Sequence, residues 1–128
     1  MLLAIDHIQL GMPAGDEAMA RARGFYAGVL ALVEVPRPPE LSTRPGLWFE
    51  AGAVKVHLGV EDDFRAARKA HPAFVVDDLD GLLERCRAAG RAVVPAPPFR
   101  GAARAHIDDP FGNRIEVMTP TPSARSTP

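Results

Sequence analysis

Residues 54–60 read Val-Lys-Val-His-Leu-Gly-Val. Val54, Val56 and Leu58 alternate with Lys55, His57 and Gly59, and a period of two predicts a strand with one apolar and one more polar face. His57 lies on the polar face, where a histidine is solvated, hydrogen-bonded or a ligand. The stretch has a counterpart near the end of the chain. Residues 113–119, NRIEVMT, alternate in the same way and set Ile115-Glu116-Val117 over Val56-His57-Leu58.

Working outward from these two strands, the same order of elements appears twice. In the first copy, LLAIDHIQLGM alternates like a strand, and Pro13, Gly15 and Asp16 break it and offer a helix cap. Ala18, Ala22, Phe25, Tyr26, Val29 and Leu30 then recur at helical spacing and form one apolar stripe. The proline-rich VPRPPELSTRPG reads as a loop with a short edge strand, and GLWFEAG precedes VKVHLGV as its hairpin partner. In the second copy, HPAFVV is a strand and DDLDGLLERCRAAG a helix with the stripe Leu79, Leu82, Leu83 and Cys86, started by Asp78 and ended by Gly90. RAVVPAPPF and ARAHIDD follow as strands, the turn DPFGN leads into the last one, and residues 121–128 are expected to be disordered. The fold class is therefore α+β, with module one over about 1–60, a linker over 61–70 and module two over about 71–119.

Composition bounds the function. The chain has 128 residues, 47% of them hydrophobic and 24% charged, enough for a self-sufficient core without staples. Fifteen basic against sixteen acidic residues leave a net charge of −1 with no long run of one sign, so nucleic acid is not an expected partner. No apolar run approaches the roughly 18 residues of a membrane helix. Cys86 is the single cysteine, and MLLAIDHIQLGM has no basic start and carries Asp6 and His7 within its apolar stretch; a reduced cytoplasmic setting is expected.

Laying the copies over each other pairs His7 with His71 and His57 with Glu116, the two intervals differing only by a short loop change. Ile8, Leu10, Val56, Leu58, Phe74, Val76, Ile115 and Val117 would face the helices, which leaves His7, His57, His71 and Glu116 on the opposite side of their strands. Three imidazoles and a carboxylate suit a divalent first-row ion, with open positions for a substrate. An apolar ligand cavity bordered by histidines is the competing reading.

DHIQL, FYAGVL, KVHLGV, HPAFVVDDLD and DPFGNRIEV, in this order and in two copies, resemble the vicinal oxygen chelate superfamily of glyoxalase I, bleomycin-resistance proteins, fosfomycin-resistance enzymes, methylmalonyl-CoA epimerase and extradiol dioxygenases. The resemblance implies paired βαβββ modules forming an open curved barrel around a cavity. It also implies metal ligands from the first and last strands of each module, the positions of His7, His57, His71 and Glu116, with zinc, nickel, manganese, cobalt or iron as the cofactor. The implied activity is that of a lyase, isomerase or dioxygenase on a small substrate with adjacent oxygens, Glu116 being both ligand and catalytic proton carrier. Glyoxalase I commonly has a carboxylate where this chain has His57, which argues against that one reaction. The alternative is a sequestering protein without turnover, similar to bleomycin-resistance proteins. A homodimer is expected, each cavity taking His7 and His57 from one chain and His71 and Glu116 from the other.

Several residues carry weaker readings. His106 is an acid or base behind the ligands or, more simply, a half-exposed strand histidine. Trp48, Phe49, Phe74, Phe99 and Phe111 line a pocket or fill the core. Arg44, Arg100 and Arg104 meet an anionic substrate or are solvated. Cys86, on an apolar stripe, is an inert buried thiol.

Overall fold

The computed structural model describes residues 1–122, so the expected disorder of the tail falls almost wholly outside the described residues. The chain divides into two compact units, Met1–Ala67 and Arg68–Pro128, each with one helix and one four-stranded sheet.

In the first unit, β1 (Ile8–Met12) leads to α1 (Asp16–Tyr26), β2 (Val33–Val35), a short 3-10 turn at Pro39–Leu41, β3 (Gly46–Ala51) and β4 (Val54–Val60). The sheet order is β1-β4-β3-β2, with β1 parallel to β4 and the other pairs antiparallel. The parallel pair requires a long crossover, which α1 and the two hairpin strands supply. Tyr26 stacks on Phe49 at 5.5 Å and so identifies the helix-facing side of the sheet. Phe49 pairs with Val56 and Leu47 with Leu58, all four buried, which puts Val56 and Leu58 on the core side and His57 on the other.

One expectation for this unit needs correction. The strand LLAIDHIQLGM is paired only from Ile8, and Met1, Leu2, Leu3 and Ile5 are exposed; alternation alone does not make a strand where no neighbour offers a ladder. The cap of α1 falls within the stretch Pro13, Gly15 and Asp16 that offered it. Gly15 holds the cap position at φ 116 without a side-chain bond, and Asp16 and Glu17 sit inside the first turn, where their charge suits the helix dipole.

In the second unit, β5 (Ala73–Val75) leads to α2 (Leu79–Ala88), β6 (Val93–Phe99), β7 (Ala102–Asp108) and β8 (Arg114–Met118), in the sheet order β5-β8-β7-β6. Asp78 caps α2 by accepting from the Gly81 amide at 3.0 Å. At the other end Gly90, at φ 77, donates to the Arg87 carbonyl and Arg91 to the Cys86 carbonyl, a pattern that requires a left-handed residue after the cap. β6 lies at the sheet edge and carries Pro95, Pro97 and Pro98; its register slips between Ala96 and Phe99, as expected for a strand short of donors. Ile107 pairs with Ile115 and Ala105 with Val117, and these four are buried with Cys86. The linker, residues 61–70, contains no helix.

The two units match position for position. His57 pairs with Gln9 on β1 and Trp48 on β3, while Glu116 pairs with Ala73 on β5 and His106 on β7. His7 stands two residues before Gln9 and His71 two before Ala73, so the sequence overlay of His7 with His71 and His57 with Glu116 is the overlay of the ladders.

Candidate functional site

His71 precedes β5, and its position is held by the backbone. Its Nδ1 lies 2.9 Å from the Lys69 carbonyl and 3.3 Å from that of Arg68, and since carbonyls only accept, Nδ1 carries a proton and donates. Nε2 of the same ring is 3.2 Å from Glu116 Oε1. In a singly protonated ring that nitrogen presents a lone pair to a carboxylate oxygen, an arrangement relieved by a second proton or by a cation between them. Anchoring one imidazole nitrogen on a carbonyl while the other points inward is also how metal-binding histidines are oriented.

Glu116, on β8, is buried, and its two oxygens have separate partners. Oε1 receives His71 and lies 3.7 Å from His106 Nε2; Oε2 is 3.2 Å from Arg104 Nη1. Arg104 is itself fixed by a bond from Nε to the Pro97 carbonyl at 2.7 Å. Burial pushes the Glu116 carboxyl up, but hydrogen bonds from His71 and Arg104 and the charge of Arg104 outweigh it, so the group is held below its ordinary range. Burial pulls the His106 imidazole down, with Arg114 and His71 adding to the effect, which favours the neutral ring that ligation needs. His106 Nε2 is buried with no hydrogen-bond partner. Donor atoms of His71, His106 and Glu116 all lie within 4.8 Å of one another. The donors present therefore fit a divalent ion.

In the first unit, His7 precedes β1 and its Nδ1 is 2.9 Å from Asp6 Oδ2, leaving Nε2 for another partner. Its ring stacks on His57 at 4.0 Å, and His57 in turn stacks on Trp48 at 3.9 Å with the planes 5° apart. Burial pulls the His57 imidazole down, and the neighbouring His7 adds to it. His7, His57, Gln9, Leu41, Trp48 and Lys55 line a hollow of about 300 Å³. A second hollow of about 370 Å³ shares Gln9, Leu41 and Trp48 and adds Arg44.

The structure thus brings His7 to His57 and His71 to Glu116, one pair in each unit. The side chains that sequence reading undervalued are His106 and Arg104, both on β7 and both directed at Glu116. Their spacing of two on one strand was the available signal, since it puts both on the face of Glu116 once β7 pairs with β8. Of the remaining arginines, Arg100 lies over the Phe99 ring at 4.5 Å. Phe49 is core, and Cys86 is fully buried, with burial pushing its thiol up.

None of the curated proteins matches the chain. Among solved structures it is similar to a glyoxalase family protein from Bacillus anthracis, 39% identical, covering 93% of this chain and 96% of that one with a TM-score of 0.85. It has the fold of the fosfomycin resistance protein FosX from Mesorhizobium loti (20% identical, covering 99% and 100%, TM-score 0.72). The same holds for a variant of FosX from Listeria monocytogenes complexed with Mn(II) and 1S,2S-dihydroxypropylphosphonic acid (17% identical, covering 99% and 100%, TM-score 0.74). The model of the Glyoxalase/Bleomycin resistance protein/Dioxygenase superfamily matches residues 4–117. With two βαβββ units in matching register and a family match over nearly its whole length, the chain belongs to that superfamily.

Proposed function

We propose that the protein is a divalent-metal-dependent enzyme acting on a small substrate with two adjacent oxygens, the ligand set being His7, His57, His71 and Glu116. One observation carries this reading: His71 donates from Nδ1 to a backbone carbonyl and turns Nε2 to Glu116 Oε1 at 3.2 Å, a contact that a second ring proton satisfies and that an ion in place of that proton would satisfy equally. His7 repeats the pattern with Asp6 in place of the carbonyl. The FosX variant that shares this fold is complexed with Mn(II) and a phosphonate carrying two adjacent hydroxyls. An ion held here would supply Lewis-acid polarisation of substrate oxygens. Arg104 keeps Glu116 ionised and oriented, which supports its reading as a ligand, and Glu116 is also proposed as the proton carrier. Arg44 lines the larger hollow in the first unit, which supports its reading as a partner for an anionic group.

Protein purified without chelators should contain zinc, nickel, manganese, cobalt or iron by elemental analysis, and stripped protein should take one of them up stoichiometrically. Absence of both removes the metal reading. A second reading, sequestration without turnover, is favoured by the flat Trp48–His57 stack, which suits an aromatic or apolar guest. A ligand recovered chemically unchanged after prolonged incubation with metal-loaded protein would support it.

The protein is further proposed to be a cytoplasmic homodimer. The unpaired Cys86 accords with the location, and the exposed Met1, Leu2, Leu3 and Ile5 supply apolar surface for a second copy. A His7→Ala, His57→Ala chain refolded with a His71→Ala, Glu116→Ala chain tests whether partners share a ligand set. Recovery in the mixture of wild-type affinity, which neither variant reaches alone, supports sharing; its absence assigns each set to one chain.

A further inference from the structure

We propose that His106 is itself a metal donor, completing with His71 and Glu116 a three-donor set contained within the second unit. The proposal deepens the metal reading above and rests on it. It assigns a ligand to the third strand of a module rather than to the first or last.

Four observations converge. His106 Nε2 is buried with no hydrogen-bond partner, and a polar atom left so loses its hydration with no return unless something is meant to meet it. It lies 3.7 Å from the Glu116 oxygen that also receives His71, at 3.2 Å. Donors about 2.0–2.2 Å from a common ion stand roughly 3–3.5 Å apart. The three here lie within 4.8 Å of one another, so small side-chain rotations bring them to that spacing. Arg104 occupies Glu116 Oε2 and is tied to the Pro97 carbonyl, which reserves Oε1 for the imidazole side and sets the carboxylate up as a one-oxygen ligand. Finally, the residue at the matching ladder position of the first unit is Trp48, which has no lone pair to give, so the two units are not equivalent as donor sets. Two imidazoles and one carboxylate leave open positions for water or substrate oxygens. His7 and His57 are then not required to retain an ion.

The test uses the full chain, stripped with chelator and titrated with Zn(II) by calorimetry and with Co(II) by visible absorption. Circular dichroism and the urea midpoint confirm that each variant folds. His106→Leu should weaken binding by more than the roughly 10- to 100-fold that loss of a residue merely supporting a ligand costs. His106→Cys should restore it and give the Co(II) complex a near-ultraviolet thiolate band that wild type lacks, a signature that a merely structural histidine would not produce. His7→Ala, His57→Ala should still bind one ion, and adding His106→Leu to that pair should abolish binding. Unchanged affinity in His106→Leu, or equal affinity of the double and triple variants, overturns the assignment of His106 while leaving the metal reading intact. A wild type that takes up neither ion ends both.

Discussion

Trp48 lies flat on His57, 3.9 Å between ring centroids, and the two are direct cross-strand partners on β3 and β4. The same ladder position in the second unit is held by His106 across from Glu116. One scaffold therefore presents an aromatic platform in one copy and a polar donor pair in the other, and the difference lies in two side chains rather than in the backbone.

Trp48 is the single tryptophan, so its emission reports on His57. A protonated imidazole in stacking contact quenches indole fluorescence. Emission should fall on acidification with a midpoint below the ordinary imidazole value of 6.5, because burial and His7 disfavour the charged ring. His57→Gln should flatten the titration; a midpoint above 6.5 would contradict the burial argument.

Stability of the metal-free protein should decline towards acid in two stages. His57 and His106 resist protonation when folded, whereas in the unfolded chain they take protons at about 6.5; stability is therefore lost as pH falls from that value towards their depressed folded values. Glu116 is held below its ordinary 4.5, so its contribution is present above that pH and disappears as pH falls through its folded value. Urea midpoints measured between about pH 7.5 and 3.5 should show both stages, and His57→Gln with His106→Gln should remove the first.

Asp109→Ala should destabilise the second unit by about 2–4 kcal/mol. Its Oδ1 accepts from the Phe111 and Asn113 amides and its Oδ2 from Asn113 Nδ2, each at 2.9 Å, and both Asp109 and Asn113 are buried. Removing the carboxylate takes away these three hydrogen bonds. Thermal unfolding of Asp109→Asn, which keeps an acceptor for the turn amides, should show a smaller loss.

Gly46→Ala should disturb the β3–β4 register. A Cβ at Gly46 would meet the Leu58 carbonyl oxygen at 2.4 Å, and backbone cannot yield as a side-chain tip can. Slower exchange of the Leu58–Val60 amides in wild type than in the variant is expected, while Gly52→Ala, with nothing within 4 Å though at φ 58, should act through local strain alone.

Much of this architecture was readable because its signals are local. The alternation of Val56-His57-Leu58 and Ile115-Glu116-Val117 gave the strand faces, and the Asp78 cap and the Gly90 stop are short-range patterns that tertiary packing had no reason to override. The extent of the first strand was not readable, since in a parallel pair its start depends on where β4 begins, at Val54, and not on the alternation of Leu3 or Ile5. The role of His106 was hidden for a related reason. Its neighbours in sequence are Ala105 and Ile107, whereas its meaning comes from Glu116 across the β7–β8 ladder and from Arg104 two residues back. The Asp6–His7 bond was adjacent in sequence but chemically silent until the ring orientation was known.

Each sheet has one margin interrupted by proline: β6 contains Pro95, Pro97 and Pro98, and β2 runs directly into Pro36, Pro38 and Pro39. A foreign strand seeking a continuous row of amide donors is refused there. The opposite margins, β1 and β5, are free of proline within their paired residues. Templated fibril growth, if it ever begins in this chain, is thereby channelled to those two margins, and any partner that covers them also protects the chain against polymerisation.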